Sequence, residues 1–143
     1  MRRLAASFAV VLIAALCSAE AFAGDISLER ALYAQHYAAC HGADLEGAPI
    51  WQSRGPDGRF PAPPHDETGH TWHHGDAMLF DYTRRGGQAF LDDLGVRFDF
   101  GMPGFGDILS DAEIEATLAF IRSTWPERIR EYQAALTTAE GAD

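Results

Sequence analysis

The sequence predicts an all-α domain of short helices and long loops wrapped around a group that is not protein. Three observations predict it. Apolar residues recur at helical spacing beside recognisable caps, most clearly after Ser110-Asp-Ala-Glu113. Between the helical segments run two long irregular stretches, residues 48–75 and 88–109, and in the first of them proline and glycine forbid both a central strand and a long helix. Helices this short bury too little apolar surface for a domain of about 120 residues. A metal site or a large flat cofactor would fill the middle, because its binding energy adds directly to folding energy.

The 143-residue chain is 47% hydrophobic and 22% charged, the composition of one globular domain. Arg2 and Arg3 precede an apolar run over residues 4–16, and Ala21-Phe22-Ala23 supplies the small residues of a signal-peptidase site. Residues 1–23 therefore read as a signal peptide, with Gly24 as the mature N-terminus. The run is shorter than the roughly 20 residues of a membrane span, so the expectation is an exported, soluble, periplasmic protein with no stable membrane insertion.

Taking away Arg2, Arg3 and Glu20 with the leader reduces 11 basic and 21 acidic residues to 9 and 20, a formal charge of −11. The chain has no lysine, and its arginines form no long basic run. An acidic surface repels phosphate backbones, which argues against nucleic acid, and complements a partner protein with a basic docking surface.

The first helix is capped by Ser27, carries Leu28, Ala31 and Leu32 at helical spacing, and delivers Cys40 and His41 before Gly42 stops it. Asp76 caps a second helix through Leu79 and Tyr82, closed by Arg84-Arg85 and Gly86-Gly87. The third begins at the Ser110/Glu113 capping box, with Leu109 and Ile114 at the staple positions and a stripe of Ile114, Leu118 and Ile121. Pro126 ends it, and Ile129, Tyr132, Gln133 and Leu136 suggest an amphipathic continuation before a frayed tail from Thr137 to Asp143. This divides the chain into residues 1–23, a domain over 24–126, and a C-terminal helical extension and tail over 127–143.

Cys17 leaves with the leader, and the remaining Cys40 cannot form an internal disulfide. Its neighbours suggest a different bond. Haem c is attached through C-x-x-C-H, two thioethers and an iron-ligating histidine. Here the run is Tyr37-Ala38-Ala39-Cys40-His41, which keeps the second cysteine and the histidine. Met102, in Met102-Pro103-Gly104-Phe105, lies 61 residues after His41 and just before the capped helix. Its thioether suits iron, and a histidine with a methionine raises the reduction potential and favours electron transfer over oxygen chemistry.

These residues resemble the class I cytochromes c, and among them a group of bacterial exported monohaem members sharing "PAPPHD-x-TGHTWHH" and "MPGF…LSD-E-I…LAFI-STWP". The resemblance spans Leu32-Tyr33, Cys40-His41-Gly42, Leu45-Glu46-Gly47, Pro61 to His74, Met102 to Phe105 and Leu109 to Pro126. It implies an all-α cytochrome c-like fold around one haem and an electron carrier rather than an enzyme. Carried over by position, His41 is the proximal ligand, Cys40 the thioether to one vinyl and Met102 the distal ligand, with Met78 the fallback sulfur. The chain departs from the family at Tyr37, which replaces the first haem cysteine, and at Glu29, where the fold usually has glycine. The expected cofactor is one haem c held by a single thioether through Cys40. Tyr37 could pack on the unreacted vinyl or serve as a helix-interface residue, and the Trp72 indole could reach a propionate or fill the core.

A competing reading rests on His65, His70, His73 and His74, near Asp66 and Asp76, whose spacing suits copper or zinc. That would make a metal-binding protein, and a second metal beside haem is the less favoured version of it. A further alternative is a haem protein turned toward ligand sensing by its altered attachment.

Overall fold

The computed structural model describes residues 28–97 and 99–142. Residues 28–36 form α1, Tyr37 is a turn, and Ala38–His41 forms α2. Gly42, at φ 85°, ends the segment at the predicted stop in a conformation that favours glycine. The predicted cap Ser27, the predicted signal peptide over residues 1–23 and the terminal Asp143 lie outside the described residues. The buried stripe of α1 matches the expected one only in part: Leu32 is buried as expected, Leu28 and Ala31 are exposed, and Tyr33, with Tyr37 just after the helix, faces the core in their place.

Residues 42–75 are irregular apart from one 3₁₀ turn, Thr71–His73. α3 spans Asp76–Arg85, but its cap is Gly75 rather than Asp76. Asp76 is the first helical residue, and its Oδ1 accepts from Arg122 Nη1 at 2.8 Å and from Gln133 Nε2 at 2.8 Å, so the carboxylate is used across the fold. The expected loop over 88–109 is also corrected, since Gly87–Asp93 forms α4. Gly86, at φ 86°, allows the chain to turn and restart, and Gln88 Nε2 donates to Asp92 Oδ1 one turn on at 2.8 Å.

α5, Asp111–Ser123, starts on the predicted capping box: Ser110 N–H donates to Glu113 Oε2 at 2.8 Å, and Glu113 N–H returns to Ser110 Oγ at 3.3 Å. Its stripe of Ile114, Leu118 and Ile121 is buried, with Phe120 against Tyr33 of α1 at 5.4 Å between ring centres. Pro126 then caps α6, Glu127–Glu140, which buries Ile129 and Gln133. The predicted fraying from Thr137 is overturned by a specific exchange. Thr137 Oγ1 accepts from Asp76 N–H and Glu140 Oε2 from Ala77 N–H, each at 3.1 Å, so the last turns of α6 satisfy unpaired amides at the start of α3.

The elements form an all-α arrangement, with no strand among the described residues. α3 packs on α4, α5 and α6, and α6 also covers the 3₁₀ turn. The core runs from Leu32, Tyr33 and Tyr37 through Leu79, Phe105 and Leu109 to the α5 stripe and Trp125. None of the described helices is long and apolar enough to cross a membrane.

Candidate functional site

Close approach of two loops builds one wall of the site. His65 N–H and Asp66 N–H both donate to the Leu45 carbonyl, at 2.8 and 3.2 Å, and Gly47 N–H donates to the His41 carbonyl at 2.7 Å. Gly47 is required here, because it adopts φ 70° and a Cβ would run into the Pro63–Pro64 backbone. This lacing sets the Pro63 carbonyl 2.8 Å from His41 Nδ1. A carbonyl only accepts, so Nδ1 carries the proton and Nε2 keeps the lone pair needed to bind a metal. Burial pushes His41 below its ordinary pKa, and the Pro63 bond only partly opposes that, so the ring is held neutral.

His65 stacks on His41, with ring centres 3.9 Å apart and planes inclined 27°. Its Nδ1 shares a 2.9 Å hydrogen bond with Thr71 Oγ1, and its backbone carbonyl accepts from the Trp125 indole at 2.7 Å. Its Nε2 is buried without a partner. Burial is the main cause holding its pKa well below the ordinary value, with His41 and His70 adding to the shift.

The opposite wall is made by backbone. Gly87 N–H donates to the Met102 carbonyl at 3.1 Å, Phe105 N–H to the Thr83 carbonyl at 3.0 Å, and Gly106 N–H to the Arg84 carbonyl at 2.9 Å. These bonds hold the Met102-Pro103-Gly104 turn against the end of α3. The fit is close, because a Cβ on Gly86 would stand 2.5 Å from Gly104 N, and one on Gly104 would meet the Arg85 backbone at 2.7 Å.

Between the walls lies a cavity of about 930 Å³, lined by His41, Met102, Cys40 and Tyr37, with Met78, Leu79, Tyr82 and Phe105 among the remaining residues. That volume is at the upper end for ligand pockets, the size a large flat cofactor needs. Cys40 is exposed while lining the cavity, so its thiol stands where the cavity meets solvent. Tyr37 is almost wholly buried, stacked on Phe105 at 4.6 Å and on Tyr33 at 5.9 Å. Burial raises its phenol above the ordinary range, and its hydroxyl has no partner.

Of the sequence-predicted residues, the fold thus brings together Cys40, His41, Met102 and Tyr37, and sets Trp72 apart. Trp72 is absent from the cavity lining; its indole donates to the Glu67 carbonyl at 3.3 Å, and its ring stacks on His73 and meets Tyr132 of α6 edge-on. The histidine cluster is divided in the same way. His65, His70 and His74 line the cavity, whereas His73 turns to Trp72. Among the described residues, no three histidine, cysteine, aspartate or glutamate side chains converge as a metal site.

Sequence reasoning did not anticipate the Pro63 carbonyl, Thr71 or Trp125 as supports of this wall. The signal available was the paired prolines before His65, which mark a rigid extended segment, but the acceptor direction of a carbonyl is not written in its side chain. The donor set fits a haem: a neutral imidazole with a free Nε2, a thioether sulfur, a thiol at the opening and apolar or aromatic walls.

A protein-family model, that of cytochrome c, matches residues 30–125 of the chain. No curated protein and no solved structure matches it.

Proposed function

Because the chain belongs to the cytochrome c family of haem-binding electron carriers, we propose that His41 and Met102 would hold the iron of a single haem and that Cys40 alone would bond it to the protein. The observation that carries this is the convergence of those three residues on one cavity, with His41 Nδ1 already committed to Pro63. Bound haem supplies one-electron chemistry between its ferrous and ferric states.

The chain's own residues do the rest. His41 presents a neutral nitrogen whose ring cannot flip without breaking its bond to Pro63. Met102 offers a soft sulfur from a loop that glycine contacts hold against α3. Leu79, Phe105, Leu118 and Ile121 exclude water from the cavity, which favours the less charged ferrous state. The Cys40 thiol would hold the haem as a thioether, its sulfur on one vinyl carbon and its hydrogen on the other, which would consume no oxidant or reductant. Tyr37 has no thiol, and its ring fills the first cysteine's place.

The reading extends to an exported, periplasmic carrier that makes and breaks no substrate bond. Residues 1–23 are its leader, residues 24–126 its haem domain and residues 127–143 its C-terminal extension. The formal charge of −11 after leader removal would steer it to redox partners with a basic surface, with association slowing as salt rises. The copper or zinc and ligand-sensing readings have no comparable support.

The test is the intact mass of denatured protein expressed with periplasmic export, together with its pyridine haemochrome spectrum. A haem-bearing mass with an α band between the two-thioether and free-haem positions is expected. An apoprotein mass with a free-haem spectrum overturns the attachment through Cys40, and absence of haem overturns the carrier itself.

A further inference from the structure

His65 is the one histidine of the loop that is both buried and pressed flat on another ring. It is 8% exposed, and the imidazole of His41 covers its face at 3.9 Å. Tyr33 meets it edge-on at 6.2 Å, Thr71 Oγ1 holds its Nδ1, and the Trp125 indole holds its backbone carbonyl. A buried nitrogen without a partner is costly, and a leucine or phenylalanine of similar bulk would avoid that cost. The histidine therefore has a reason other than filling space.

We propose that His65 is a positioning residue that sets the plane of the His41 imidazole, and that Thr71 in turn sets the plane of His65. This rests on the reading of His41 as an iron ligand. One hydrogen bond to Pro63 fixes which nitrogen of His41 is protonated but leaves the ring free to rock about the line of that bond. A second flat ring lying nearly parallel to it removes that freedom, because rocking would close the stack on one side and open a gap on the other. Leucine has no flat face. Phenylalanine has the face but nothing to engage Thr71, so its own plane would not be fixed. Histidine supplies both a face and one anchored nitrogen, and leaves the other nitrogen unpaired as the consequence.

The orientation of an axial imidazole plane governs the splitting of the ferric d orbitals, which is read in the g values of the low-spin electron paramagnetic resonance signal. In haem-loaded His65→Leu protein, those g values shift from those of the unsubstituted protein. Thr71→Val, which keeps the ring and removes only its anchor, shifts them in the same direction by less. Ser110→Ala, which loosens a helix cap outside the cavity lining, leaves them unchanged and controls for stability alone. The midpoint potential of His65→Leu rises as well, since an apolar neighbour disfavours the more charged ferric state.

The unsubstituted protein is measured first. If it loads haem but lacks a low-spin histidine–methionine signature, the ligand reading fails, and His65 loses its stated role with it. If it has that signature and His65→Leu retains the original g values, only the His65 proposal is overturned. Should His65→Leu not load haem, Thr71→Val decides, and unchanged g values there overturn the proposal.

Discussion

The two walls of the cavity present one proposed ligand each and hold them by different means. His41 is held by side-chain chemistry in a buried setting: a hydrogen bond to Pro63, a stack on His65, and beneath them Thr71 and the Trp125 indole. Met102 is held by its backbone, through the Gly87 amide and the neighbouring bonds of Phe105 and Gly106 to the end of α3, while Arg59–Asp99 ties its loop across an exposed surface. The difference teaches where each is vulnerable. The histidine wall should respond to the loss of buried polar partners, and the methionine wall to any side chain added at its glycines.

The largest effect would break that comparison at the ligands themselves. His41→Ala is expected to abolish incorporation of low-spin haem, because it removes an imidazole whose tautomer the Pro63 carbonyl already sets. Met102→Ala is expected to keep covalent haem while losing the sulfur-to-iron charge-transfer absorption near the red edge. Met78→Ala should retain that band, and its loss there would move the sulfur ligand from one wall position to the other.

Gly86→Ala sharpens the comparison on the methionine side. Its φ of 86° is strained for alanine, and the new Cβ would meet Gly104 N, so a destabilisation of about 3 kcal/mol is expected in chemical denaturation. The charge-transfer band should weaken well before haem is lost. Trp125→Phe probes the histidine side, leaving the buried His65 carbonyl without its donor for about 2 kcal/mol, with the charge-transfer band intact.

The smallest expected effect is one of pH. Burial lowers the pKa values of His70 and His74 from the ordinary 6.5, so in the folded protein both bind protons more weakly than in the unfolded chain. The unfolded state then takes up more protons on acidification, and the stabilisation present above pH 6.5 is lost as pH falls through the lowered folded values. Urea midpoints of the haem-free protein should fall from pH 7.5 to about pH 5. A midpoint that rises over that interval would contradict the lowered pKa values of these rings.

Much of this was legible in the sequence because it was local. The Ser110/Glu113 box, the α5 stripe, the stop at Gly42 and the Pro126 break each depend on residues within a turn or two, and the fold places all of them as read. Two of the misreadings share one cause. Asp76 looked like a cap and the last turns of α6 looked frayed because their partners lie 46 to 63 residues away, in Arg122, Gln133, Thr137 and Glu140. α4 was missed because it is short, weakly apolar and started by a glycine, the residue that usually ends a helix.

The candidate site divides in the same way. Cys40-His41 and Met102 stand out as residue types whose chemistry does not depend on their surroundings, a thiol, an imidazole and a thioether in one chain. By itself, the sequence determined those donors, the helical ends, the acidic charge and the absence of a thiol at Tyr37. The tertiary structure alone decided that Trp72 packs on α6, that the four loop histidines part company, and that His41 lies between the Pro63 carbonyl and the face of His65. The physical reason is directional: hydrogen bonds and ring stacks depend on orientation as well as residue type, and orientation arises only when distant backbone segments meet.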